Sequence, residues 1–92
     1  MLSPVDGDPS GNQREIAKYT MSITVMMTGV PAHRIRRFEE FGLLTPMRTQ
    51  SRQRLYSDIN IKIIREISVL ENDGINLPGI KTIMGMKQDR GR

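Results

Sequence analysis

The sequence predicts a mainly α domain, a winged helix-turn-helix of about four short helices with a small two-stranded wing, on three observations. Gly29 is followed by the hydrophobic Val30, by Ile35 six residues on and by Phe38 nine residues on. At that spacing a glycine turn lets a second short helix pack back onto the first. Next comes an arginine-studded stretch, residues 45–56, that reads as two short extended arms around a polar turn. Then Ile59, Ile63, Ile67 and Leu70, with Ile64 beside them, recur at helical spacing, the strongest periodicity in the chain. Ninety-two residues suffice for one such core, and with Phe 2, Tyr 2 and no Trp it must be built from Ile, Leu, Val and Met.

Residues 1–13 hold Asp6 and Asp8 among Pro, Gly and Ser and read as a disordered tail, with the folded unit over 14–86 and a polar C-terminal tail over 87–92. Ser22 is placed to cap the first helix, which runs to about Thr28 with Ile23, Met26 and Met27 at helical spacing. Met26, Met27 and Met84 fit core positions better than a cofactor site. Val30-Pro31 starts the second helix, since proline is tolerated in a first turn, and Gly42 follows its end near Phe41. At 100° per residue Ala32, Ile35 and Phe38 share one sector, and His33, Arg34, Arg36, Arg37 and Glu40 fan around the opposite side. After Leu43-Leu44 the arms are 45–48 and 52–56, with Thr49-Gln50-Ser51 as the turn. Ser57 caps the third helix, Gly74 ends it, and Asn76 caps a short fourth helix carrying Leu77, Ile80, Ile83 and Met84. There is no internal repeat and no heptad run.

Lys+Arg 14 against Asp+Glu 10 leaves a net charge of +4, and the pI is about 10.0. Residues 31–56 alone carry six arginines against Glu39 and Glu40, so this middle third equals the excess of the whole chain. All its bases are arginine, whose planar fork suits phosphates and guanine edges. That points to double-stranded DNA as the partner, with His33, Arg34, Arg36 and Arg37 on the second helix and Arg48, Arg52 and Arg54 on the wing. About five phosphates per half-site would give a log–log salt slope near −4 or −5. A surface ion pair of Arg36 with Glu40, four residues on, is the competing account of Arg36.

Cysteine is absent, which excludes disulfides, thiolate metal sites and thiol nucleophiles, and fits a reducing, cytoplasmic, nucleoid-associated address. No apolar run approaches the ~20 residues that cross a bilayer, so no membrane is expected. His33 is the only histidine and has no partners for metal binding or general-base work. No phosphate loop, carboxylate cluster or nucleophile elbow is present. The expectation is a non-enzyme without cofactor or metal.

The run Ile35-Arg36-Arg37-Phe38-Glu39, the exit Leu43-Leu44-Thr45-Pro46, the wing ending Arg54-Leu55-Tyr56-Ser57 and the stretch Gly74-Ile75-Asn76-Leu77-Pro78-Gly79-Ile80 follow in order. Together, over about Tyr19 to Met86, they resemble the DNA-binding domain of the MerR family of bacterial transcription regulators, most of all its heat-shock repressor and glutamine-synthetase repressor branches. The resemblance implies a winged helix-turn-helix that binds palindromic promoter DNA as a homodimer, with the second helix in the major groove. It implies a groove and backbone contact for Arg36, and Arg37 and Phe38 standing where the family has two tyrosines, the first of which touches phosphate. It further implies a structural role for Glu39 and backbone contacts for Arg48, Arg54 and Tyr56. Ser51 replaces the customary wing glycine.

The resemblance does not carry over metal or oxidant sensing, which the family performs with cysteines. Most members continue into a dimerisation helix and an effector domain; here the residues end at Arg92, so dimerisation is expected to need further segments or to use Arg14 to Thr20. An excisionase-like or architectural DNA-binding protein is the alternative function. A protein-interaction module that docks an acidic partner is the other, and RNA is disfavoured because the middle third offers no stacking platform beyond Tyr56.

Overall fold

The computed structural model describes residues 16–90, so the reading of residues 1–13 as a disordered tail lies outside the described residues. Four helices and one small antiparallel sheet follow in the order α1 (Met21–Thr28), α2 (Ala32–Glu40), β1 (Met47–Arg48), β2 (Arg54–Leu55), α3 (Asp58–Asn72) and α4 (Leu77–Arg90). α3 lies between α1 and α4, and α2 packs against α1. Val30, Ile35, Phe38, Leu44, Tyr56, Ile64, Ile67, Leu77 and Ile80 close the core between them. Among the described residues no helix is long and apolar enough to cross a membrane.

The helix-turn-helix forms as its spacing predicts. Gly29 adopts φ +73° and donates its N–H to Val25 O, a left-handed helix end that favours glycine. Thr28 Oγ1 donates to Thr24 O and accepts from Val30 N at 3.1 Å, which satisfies the turn, and Val30, Ile35 and Phe38 are buried. Gly42 is the second left-handed position, at φ +81°, and follows Phe41, the C-cap of α2.

Four expectations shift. Thr20 and not Ser22 caps α1: its hydroxyl accepts from Ile23 N. Pro31 is the N-cap of α2, one residue outside the helix, and its carbonyl accepts from Arg34 N and Ile35 N. On α1 the buried residue is Thr24, while Ile23, Met26 and Met27 face outward, Met26 being 78% exposed, so the two methionines do not fill the core. On α3 the buried line is Ile61, Ile64 and Ile67; Ile63 and Leu70 are half-buried against it, and Ile59 lies outside the core cluster.

Ser57 caps α3 as predicted, in a capping box with Asn60: Asn60 N donates to Ser57 Oγ and Ser57 N to Asn60 Oδ1. Gly74 ends it at φ +90°. Asn76 Oδ1 accepts from Gly79 N at the start of α4, again as predicted. That helix passes Gly85 and continues to Arg90, so residues 87–90, read as a polar tail, are helical.

Candidate nucleic-acid interface

Helix α2 presents three different sides. Ile35 and Phe38 point inward and are fully buried. His33, Arg36, Arg37 and Glu40 are exposed, and among the described residues Arg36 forms no ion pair with Glu40, so the competing account of Arg36 is not realised. Arg34 lies to one side. Its Nη2 donates to Glu71 Oε1 at the end of α3, and its guanidinium stands 5.9 Å from the centre of the Phe38 ring. Arg37 and Glu40 border an open groove of about 470 Å³ with Phe41, Glu71 and Leu77, which places Arg37 on the flank of the helix that faces α4.

The wing is shorter than its two predicted arms. Only Met47 with Leu55 and Arg48 with Arg54 pair across it. Its tip is held by Arg52 N donating to Thr49 O, Thr49 N to Gln53 O and Gln53 N to Thr49 Oγ1. Closing the turn in this way puts Arg52 at φ +69°, a left-handed backbone on a non-glycine residue. Ser51, which stands where the resemblance expects glycine, has no positive φ. Arg48 Nη1 donates to Arg52 O at 3.3 Å, so its charge is tethered at the surface without being neutralised.

Glu39 joins the wing to α2. Arg54 Nε donates to its Oε1 at 2.8 Å, and the Tyr56 hydroxyl donates to its Oε2 at 2.6 Å. Tyr56 is 0% exposed, which corrects its expected place among the DNA contacts: its ring closes the core beneath the wing and its hydroxyl holds Glu39. Burial first, and then the hydrogen bond to Glu39, push the Tyr56 hydroxyl well above the ordinary tyrosine range. The same carboxylate raises Arg54, chiefly by hydrogen bonding, so the guanidinium stays charged.

Two further supports have no local sequence signal. Tyr19 and Tyr56 form an antiparallel bridge, with Tyr56 N donating to Tyr19 O and both Lys18 N and Tyr19 N to Tyr56 O. The Tyr19 hydroxyl donates to Asp58 Oδ1 at 2.6 Å, and Lys18 Nζ lies 3.3 Å from Asp58 Oδ2. At the other end of α2, Lys81 Nζ donates to Phe41 O and sits 5.6 Å over the Phe41 ring, capping that helix from α4. These contacts join residues about 40 apart, beyond the reach of any spacing rule.

Of the eight predicted site residues, the structure therefore leaves His33, Arg36, Arg37, Arg48 and Arg52 exposed, ties Arg34 and Arg54 to carboxylates at the margin, and buries Tyr56. Through Arg54 and Tyr56, Glu39 holds α2 and the wing together.

Comparison with known proteins gives a consistent answer. Residues 19–87 match the pattern of the MerR HTH family of regulatory proteins. A Streptomyces coelicolor protein described as heat shock protein HspR is 36% identical over 70 residues, covering 75% of this chain and 46% of that protein. The HTH-type transcriptional regulator GlnR of Bacillus anthracis is 32% identical over 79 residues, 86% of this chain and 61% of its own. This chain thus spans about half the length of these relatives. Among solved structures, HiNmlR, a MerR family regulator lacking the sensor domain and bound to promoter DNA, aligns with a TM-score of 0.70 at 24% identity, covering 75% of this chain and 53% of its own.

Proposed function

The chain belongs to the MerR HTH family of regulatory proteins, and from that premise we propose that it binds double-stranded DNA sequence-specifically and regulates transcription. Two copies bind a palindromic site, each laying α2 in the major groove and the wing on the sugar-phosphate backbone. The observation that carries the reading is Arg36: it stands on the exposed face of α2, without the intrahelical ion pair that would account for it. A desolvated guanidinium without a protein partner is stable only against an acceptor, and the major-groove edge of guanine offers two in bidentate geometry. His33, one turn earlier, reaches the same groove. Arg37, Arg48, Arg52 and Arg54 take phosphates, while Arg34 stays with Glu71 and supports α2 from the side.

The test is selection of bound sequences from a pool of random duplexes, with affinity then followed against salt. An enriched palindrome and a steep slope are expected. Steep salt dependence without an enriched sequence would favour the architectural reading, and no binding at low salt would favour a protein partner. On the enriched site Arg36→Ala costs about 1–3 kcal/mol of affinity while random duplex loses much less. Equal losses on both would move Arg36 to the backbone.

A further inference from the structure

We propose that Glu39, an acidic residue in a basic interface, strengthens DNA binding: it is a positioning residue that aims the outer nitrogens of Arg54 at a backbone phosphate beside the one that Arg48 takes across the wing. The inference rests on the DNA-binding reading above and adds to it a residue whose charge would otherwise argue against a place in the site.

Four observations combine. Arg54 meets Glu39 through Nε, and among the described residues no other hydrogen bond of its guanidinium is found, which leaves the terminal Nη edge unengaged. A planar fork held by its inner edge is directed away from the group that holds it. The Arg54 side chain is 27% exposed and that of Glu39 10%, so the carboxylate lies beneath and the guanidinium reaches the surface. The second oxygen of Glu39 is fixed by the buried Tyr56 hydroxyl, which leaves the carboxylate no freedom to turn.

The strand register then supplies a second cation. Arg48 stands directly across the ladder from Arg54, and residues so paired share a face. Like charges in that position repel, and in the free protein Glu39 relieves the repulsion for Arg54 while Arg48 is held through Nη1 on the Arg52 carbonyl. A phosphate at each fork relieves it for both. Because Glu39 belongs to α2, the residue that aims the phosphate contact also fixes the wing relative to the groove helix.

The experiment measures affinity for the enriched duplex as a function of salt for the full chain and for Glu39→Ala, Glu39→Gln, Arg54→Ala, Arg54→Lys and the double variant Glu39→Ala/Arg54→Ala. Circular dichroism checks each for folding at the assay temperature. Glu39→Ala removes a negative charge from the interface and yet weakens binding about tenfold, with a slope shallower by about one per half-site. It adds nothing to Arg54→Ala, and Glu39→Gln recovers most of the loss because its amide oxygen still accepts from Nε. Affinity unchanged or raised in Glu39→Ala overturns the proposal, as does an equal loss in the Arg54→Ala background, which would make Glu39 a support of the fold alone. Should Glu39→Ala not fold, Arg54→Lys decides: it keeps the charge and loses the two-edged fork, so binding near the wild-type level is the overturning result. A wild-type chain that binds no duplex at low salt removes the DNA reading itself, and the inference with it, an outcome distinct from all of these.

Discussion

Replacing Tyr56 by phenylalanine isolates the buried end of the wing clamp. The ring stays in the core, Glu39 keeps Arg54, and what is lost is the 2.6 Å hydrogen bond from the hydroxyl to Oε2, with a longer 3.8 Å contact to Met21 Sδ. Hydrogen bonds to charged groups are worth about 1.5–3 kcal/mol, and since the carboxylate remains ion-paired the loss belongs in the lower half, about 2 kcal/mol. For a domain of this size that lowers Tm by about 8–16 °C. The pH dependence carries a sign. The folded-state tyrosine is raised, by burial and then by Glu39, so the protonated hydroxyl contributes fully below the unfolded value of about 10 and is lost as pH rises towards the folded one. Above about pH 10 the wild type therefore loses stability faster than Tyr56→Phe by up to about 1.4 kcal/mol per pH unit. Tyr19, raised first by its bond to Asp58, titrates alike in both proteins and drops out of the difference. Thermal and urea denaturation at pH 7 and between pH 10 and 11.5 measure both quantities. Equal Tm at pH 7, or parallel alkaline limbs, would refute the reasoning.

Thr24 Oγ1 is buried without a hydrogen-bond partner among the described residues, so Thr24→Val, equal in shape, should raise stability by about 1 kcal/mol in a denaturant titration. A destabilised variant would show that the hydroxyl has a partner in solution. Arg52→Gly separates fold from function at the wing tip. Relief of the left-handed backbone, offset by the greater freedom of glycine in the unfolded chain, leaves a gain of about 0.5–1 kcal/mol, while duplex affinity falls and the salt slope becomes shallower by about one per half-site. A fall in Tm would contradict the strain, and an unchanged slope would take Arg52 off the backbone.

Legibility in the sequence followed the number of arrangements each segment allows. Gly29, Ile35 and Phe38 admit one packing of two helices, and Ser57 with Asn60 admits one helix start, so both were readable from spacing. α1 has apolar residues on two sides: 23, 26 and 27 form one line, and 21, 24, 25 and 28 form another in which two threonines dilute the signal. Packing on α3 selects the second, and Thr28 is acceptable there because its hydroxyl bonds the carbonyl of Thr24. α3 offers isoleucine at 59, 61, 63, 64 and 67, around much of its circumference, and only contact with α1 and α4 decides that 61 and 64 turn inward. Tyr56 misled for a related reason: a tyrosine in a basic wing carries the same local pattern whether it faces solvent or the core, and its fate is set by Glu39, 17 residues earlier.

Those pairings change what the charge count means. A count that sends all six arginines of residues 31–56 to phosphate gives a slope of about −5.4 per half-site at about −0.9 per contact. Glu71 holds Arg34, and Arg36 is assigned to bases, which leaves Arg37, Arg48, Arg52 and Arg54. Four contacts give about −3.6 per half-site and about −7 for two copies on a palindrome. Titration of the enriched duplex from low to moderate salt distinguishes the two. A slope near −11 would mean that the ion pair of Arg34 with Glu71 opens on DNA and Arg36 joins the backbone contacts, so the protein pairs in the free chain would be poor guides to the bound one. A slope near −7 that falls to about −5 in Glu39→Ala would have the opposite meaning: carboxylates in this interface sort the arginines, withholding one and aiming another.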